Sequence, residues 1–292
     1  RSDRDWSSDV CSSDLAETDP SSGTKAAPLP LGRIGKHSFS RLMLGGNLIS
    51  GYSHSRDLGY VAVLARRYNT EAKIRETIEL AESHGINAIN LCIGDDISFL
   101  HSHWKNGGKM KLIAQAHIGN EGDLTNFKQA IDAGASAVHV QGLSAERHVK
   151  QGRLDLIASA IAYVKRQDAA AGVAAHALGV MVECENAGLD VDFYQKTLHT
   201  RDYFSSGNPE DSEEIGRHDN YWCRNPEEVA AFMAKVHKPW IAFKVLAAGA
   251  IQPRAGFAYA LKNGADFLLV GMFDWQVADN VTLAKRMFSN LQ

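Results

Sequence analysis

The stretch Pro239–Asp274, PWIAFKVLAAGAIQPRAGFAYALKNGADFLLVGMFD, reads as strand, helix, strand. Its first apolar run, Trp240–Ala248, ends at Gly249, and Pro253 opens a helical stretch in which Phe257, Ala260 and Leu261 recur at helical spacing. Gly264 stops that helix, and Phe267–Val270 is a short continuous apolar run of the kind a strand covered on both faces needs. Two such runs joined by a helix make a parallel βαβ unit.

Working outward, the same alternation fills the chain from Leu31 onward. Strands are expected at Arg41–Gly45, Ala88–Cys92, Lys111–Ala116, Ala137–Val140, Ala171–Ala175 and Phe193–Leu198, ahead of the two already read. Between them come a helix capped by Thr70 and ending at Gly85, a short one over Ile97–Trp104, one over Asp123–Ala133 and a clearly amphipathic one over Leu154–Val164. The fifth strand has a rival in Leu178–Glu183. The earlier segment is preferred, because ALGVMVECENAG carries Leu178, Val182 and Glu185 at helical spacing and ends in Gly188. Asn225, Pro226, Glu227 and Glu228 begin the sixth helix, and Val277–Phe288 suits a closing one. Eight alternations over this length predict a single (β/α)8 TIM barrel, an α/β fold occupying 31–292.

Composition is consistent with that reading. The 292 residues are 45% hydrophobic and 22% charged, with a net charge of -3 that favours neither nucleic acid nor an anionic membrane surface. No apolar run reaches membrane-spanning length, so a soluble protein with a small-molecule partner is expected. Four cysteines, Cys11, Cys92, Cys184 and Cys223, show neither metal spacing nor disulfide density. Residues 1–15, RSDRDWSSDVCSSDL, repeat Ser-Ser-Asp and resemble translated sequencing-adapter DNA, so they are set aside as an expected artefact. Residues 16–30 read as a flexible linker of a composition that often follows a signal peptide, which leaves export open.

In a barrel of this kind chemistry comes from the carboxyl ends of strands and the loops after them. Those positions hold Asn47, Asn90, His117, His139 with Gln141, His176, Lys196 with His199, Lys244 and Asp274. Two mechanisms fit. Imidazoles from neighbouring strands, His139, His176 and His199, with Asp274, would hold a divalent cation, with zinc, iron or nickel suiting imidazole and manganese favoured by a carboxylate. Alternatively Lys196 or Lys244, its pKa lowered by the other ammonium, forms a Schiff base with a carbonyl substrate and needs no metal. The expected step is carbonyl polarisation with proton abstraction or C–C/C–O cleavage, with Lys196, Lys244, His176 and His199 as the catalytic candidates.

The segments DFYQKT (192–197) and AFKVLAAGAI (242–251) resemble the lysine-bearing strands of deoxyribose-phosphate aldolase-type class I aldolases. That resemblance implies Lys196 as the Schiff-base lysine and Lys244 as its partner. LGRIGKHSFSRLMLGGN (31–47) resembles the opening of aldo/keto reductases, whose catalytic Asp, Tyr, Lys and His would fall near Asn90, Asp95, His117 and His139. Only the His matches. Gly249 and Gly271 resemble the strand-seven and strand-eight glycines of phosphate-binding barrels.

Two long loops would overhang the mouth. GYSHSRDLGY carries Tyr52, His54 and Asp57, and the connection Thr200–Asn225 carries Arg201, Asp202, Tyr203, Asp219, Tyr221 and Trp222, aromatics that stack on sugar faces beside groups that bond hydroxyls. The expected function is a lyase or isomerase acting on a small polyhydroxylated carbonyl compound. A nicotinamide-dependent, aldo/keto-reductase-like oxidoreductase and a non-catalytic sugar-binding barrel are the alternatives.

Overall fold

A computed structural model describes residues 28–54, 58–206 and 223–290. The expected artefact at 1–15, most of the expected linker at 16–30, and Asp57, Asp219, Tyr221 and Trp222 lie outside those residues.

Among the described residues ten strands run β1 (Leu31–Ile34), β2 (His37–Ser40), β3 (Leu42–Gly45), β4 (Ala88–Cys92), β5 (Lys111–Ala116), β6 (Ala137–Val140), β7 (Ala170–Ala175), β8 (Phe193–Thr197), β9 (Trp240–Phe243) and β10 (Phe267–Val270). The helices are α1 (Tyr60–Tyr68), α2 (Glu71–Ser83), α3 (Ser98–Lys105), α4 (Thr125–Asp132), α5 (Gly142–Lys150), α6 (Leu154–Arg166), α7 (Leu178–Asn186), α8 (Pro226–Met233), α9 (Pro253–Lys262) and α10 (Asp274–Ser289). Strands β3 to β10 pair in parallel, each with the next, and β10 closes on β3 through Leu268↔Leu42 and Val270↔Leu44. This is the closed (β/α)8 barrel. The strand at Ala170–Ala175 and the helix at Leu178–Asn186 fall as expected.

The residues that make the outer layer are the apolar ones at helical spacing. In α6, Ile157, Ala160, Ile161 and Val164 are all buried, and they share a cluster with Val138, Ala171 and Val173 from the outward sides of β6 and β7. Each large side chain so buried contributes about 1.5–3 kcal/mol. Short local devices set the ends. Thr70 caps α2 by accepting from the Lys73 N–H at 3.3 Å, and Trp240 Nε1 donates to the Gly264 carbonyl at 2.6 Å, tying the start of β9 to the turn before β10.

One element was not expected. The segment 31–40 folds as an antiparallel hairpin, turning at Gly35 with φ 56°, and it covers the amino end of the barrel. Ile34 and Phe39 are fully buried in one cluster with Met43, Ala88, Ile113, Ala137, Ala170, Phe193, Ile241 and Phe267, the inward residues nearest the strand starts. Gly32 lies so close to the Phe267 ring that a Cβ there would come within 2.5 Å of it. The hairpin is anchored where Asn87 Oδ1 accepts from the Ser40 N–H and Ser40 Oγ accepts from the Asn87 N–H.

Candidate functional site

Successive side chains of a strand point to opposite faces, so one inward residue per strand places all the others. On β8, Phe193 belongs to the lumen cluster while Tyr194 belongs to the outer one, its hydroxyl donating to Glu185 of α7 at 2.6 Å. Gln195 and Thr197 therefore face the lumen. By the same count Asn90 and Cys92 of β4, Gln115 of β5, His139 of β6 and Phe243 of β9 also face inward. Alternate strands fill the same layer of such a barrel. Asn90, His139 and Gln195, on the second, fourth and sixth barrel strands, make one tier.

That tier is a hydrogen-bonded network without a formal charge. Asn90 Nδ2 is 3.0 Å from His139 Nε2 and 3.3 Å from Gln195 Oε1, while His139 Nδ1 lies 3.2 Å from the Val140 carbonyl. The carbonyl can only accept, so Nδ1 carries the ring proton and Nε2 accepts from Asn90. Burial pushes the His139 pKa down to about 4, which keeps the ring neutral at physiological pH. Asn90 Oδ1 and the Gln195 amide N–H groups take part in no hydrogen bond among the described residues. Gly172 opposite Phe193 leaves the room for that ring to cross the lumen, since a Cβ there would meet it at 2.5 Å.

A second group of polar side chains lies on the rim above β7, β8 and β9. Glu146 of α5 accepts from the backbone N–H groups of His176 and Ala177, and its Oε1 is 3.1 Å from His176 Nδ1. Burial acts to raise the Glu146 carboxyl, but these donors outweigh it and hold the group below its ordinary value. Burial also pushes His176 down to about 4, against the pull of Glu146, with Lys244 and Lys196 adding to the depression. Both ammonium groups thus lie near that imidazole. Lys196 Nζ donates to the His176 and Thr197 carbonyls, and Lys244 Nζ stands 5.9 Å from the centre of the Phe243 ring, which His176 faces at 5.4 Å. Lys244 has φ 58°, a left-handed backbone that costs a non-glycine residue about 1–3 kcal/mol. His199 completes the rim, with Nε2 accepting from the Cys223 N–H at 3.0 Å and the ring edge-on to Tyr203.

Several expectations need correction. Lys196 does not project into the lumen: it pairs in register with Ala175 and Ala242, both in the outer layer, and reaches the rim from the helix side. The set His139, His176, His199 and Asp274 does not assemble a cation site, and among the described residues no three His, Cys, Asp or Glu side chains are grouped to hold a metal. The donors fail because they are committed elsewhere. Asp274, in the first turn of α10, accepts from the Tyr68 hydroxyl at 2.6 Å and pairs with Lys73 at 3.0 Å. Gln141 caps α5, its Oε1 accepting from the Ser144 N–H. Asn47 is exposed and His54 half-buried in the loop after β3. Gly249 (φ 87°) closes the turn after β9, and Gly271 is exposed ahead of α10, where Asp274 already occupies the first turn. His117, just after β5, stands at the mouth with Nε2 3.6 Å from Cys92 Sγ.

Glu146, Gln195, Thr197 and Cys92 escaped the sequence reading. The alternation of FYQKT carried a signal for two of them, but a strand buried on both faces does not reveal which face is inner. Glu146 sits in GLSAERHVK, a helix too polar for its apolar period to stand out.

No family model matches the sequence, and no curated protein matches it. Among solved structures, a protein named as an aldo-keto reductase from Pseudomonas aeruginosa is 16% identical with a TM-score of 0.57, over 89% of this chain and 94% of that one. An N-acetylneuraminic acid synthetase from Leptospira borgpetersenii is 11% identical with a TM-score of 0.51, over 90% of each chain. Likeness at this level establishes the shared barrel. Among the described residues no helix is long and apolar enough to cross a membrane.

Proposed function

We propose that the chain is an enzyme of lyase or isomerase type that takes a small polyhydroxylated carbonyl compound into the carboxyl mouth of the barrel. The observation that carries this reading is the Asn90–His139–Gln195 tier. A lumen floor of amides and a neutral imidazole, with a carbonyl acceptor and amide donors not engaged by the described residues, suits an uncharged ligand dense in hydroxyls. A charged substrate would leave its charge unpaired there.

On this reading the floor orients the substrate, and the Gln195 amide donates to a carbonyl or hydroxyl oxygen. His139 holds Asn90 in place and does not act as the base, since its Nε2 is already accepting from Asn90 and its Nδ1 faces the Val140 carbonyl. Proton transfer falls to the rim, where Glu146 holds the His176 ring by Nδ1 and the neutral ring can accept a proton. If the reaction passes through a Schiff base, its amine is Lys244, because Lys196 approaches from the outer layer. The metal-assisted route has no donor set among the described residues and supplies no step. The reductase alternative is disfavoured because Asn90, Asp95 and His117 stand where that family's Asp, Tyr and Lys would fall.

The test is solvent-deuterium exchange at the carbon beside the carbonyl, followed by NMR for a panel of small aldoses and ketoses, with binding measured by calorimetry. Exchange that His176→Gln abolishes while binding survives, together with binding that Asn90→Leu abolishes, is the expected pattern. Binding without exchange would make the barrel a sugar-binding protein. Neither binding nor exchange would overturn the reading.

A further inference from the structure

Cys92 and His117 meet at the mouth of the barrel directly above the floor tier. Cys92 is two residues beyond Asn90 on β4 and so shares its inward face; His117 follows β5 two residues after the inward Gln115. His117 Nε2 lies 3.6 Å from Cys92 Sγ, which also stands 3.8 Å from the Ile93 carbonyl, and in the tautomer protonated at Nδ1 the ring accepts the thiol proton at Nε2. Cys92 is half-buried and His117 exposed, so a molecule in the mouth reaches both, whereas Cys184 and Cys223 are buried. At the same level on β8, the Thr197 hydroxyl is fully buried and has no hydrogen-bond partner among the described residues. A buried, unpaired hydroxyl facing the lumen is a group held for something that enters it.

We propose that Cys92 and His117 form a nucleophile–base pair that captures the carbonyl carbon of a small hydroxyaldehyde as a hemithioacetal. This rests on the reading that small carbonyl compounds enter this mouth. As the sulfur attacks, the S–H proton passes to His117 Nε2, the C–S bond forms, and the π pair of the carbonyl moves onto oxygen. His117 then returns that proton to the oxygen. The product is RS–CH(OH)R′, the sum of thiol and aldehyde, and nothing is oxidised or reduced. The pair sets a thiol within reach of an imidazole base; burial and then the Arg147 guanidinium hold that imidazole below its ordinary pKa, and the Asp95 carboxylate offsets them only in part. Burial and the same carboxylate push the thiol up to about 11, so at rest it stays protonated and needs the imidazole to react.

The experiment uses the full chain and [1-13C]glyceraldehyde, read by 13C NMR, with calorimetry of glyceraldehyde binding in parallel. The wild type is expected to give a hemithioacetal carbon resonance that Cys92→Ser and Cys92→Ala both lose. Iodoacetamide should alkylate Cys92 ahead of Cys184 and Cys223 by peptide mapping, at least tenfold more slowly in His117→Gln, and more slowly when glyceraldehyde is present. A resonance that persists in both Cys92 variants overturns the proposal. So does its absence from the wild type when glyceraldehyde still binds in an Asn90-dependent way, a result that leaves the proposed function standing. Glyceraldehyde that neither binds nor adds to the wild type overturns both.

Discussion

Lowering the pH from 7 to 5 should cost this protein about 2 kcal/mol of stability through His139 alone. The ring is fully buried, and its pKa falls to about 4 against about 6.5 in an unfolded chain. Between those values the unfolded state binds a proton that the folded state refuses, so stability is complete above about pH 6.5, declines as the pH falls, and levels off below about 4. One proton is worth about 1.4 kcal/mol per pH unit, and the two titration curves give about 2 kcal/mol between pH 7 and 5. The assay is urea unfolding at half-unit pH steps, on the wild type and on His139→Gln. The substitution will change absolute stability, but the informative quantity is the slope, which should be shallower in the variant by close to one proton over pH 5–6. Equal slopes would mean that the imidazole titrates normally, and the neutral floor tier would fall with it.

Four further outcomes follow. Asn90→Leu removes the donor shared by His139 and Gln195 and should cost about 1–3 kcal/mol by the same unfolding assay. Glu146→Ala strips one acceptor from three donors at the His176 turn and should cost about 2 kcal/mol or more, with exchange activity lost. Gly46→Ala would bring a Cβ within 2.2 Å of the Asn90 carbonyl and should lower the melting temperature by several degrees, whereas Gly59→Ala, with open space around it, should stay within about 0.5 kcal/mol of wild type. Borohydride reduction with glyceraldehyde, mapped by peptide mass, should mark Lys244 if it marks a lysine at all; a label on Lys196 would contradict its place in the outer layer.

The barrel was legible because its strands are short, apolar and separated by helices with caps and glycine stops. Strands β4, β5, β6 and β10 begin and end where their apolar runs do, and β7 was separable from α7 by period alone. Two kinds of feature were hidden. The hairpin at 31–40 mixes Gly, Lys, His and Ser with two inward apolar residues, and its strands of four residues are too short to show a period. The run from Trp240 overshot because β9 stops at Phe243, where Lys244 turns the backbone left-handed, a change that depends on packing and not on residue type. At the candidate site, residue types at strand ends marked out a rim, but side-chain direction did not follow from them. His176, Lys196 and Lys244 do gather, and still Lys196 enters from the opposite side of the sheet to Gln195.

The stopper formed by Ile34 and Phe39 turns the barrel from a tube into a cup. On the proposed function, a substrate would use the carboxyl mouth as its doorway and its product would leave past Cys92, His117 and the rim of β7 to β9, because Ile34 and Phe39 fill the amino end. Crowding at that doorway by a bulky product analogue should therefore slow entry and release together, while changes to the hairpin alter how firmly the cup is closed below without touching what passes above.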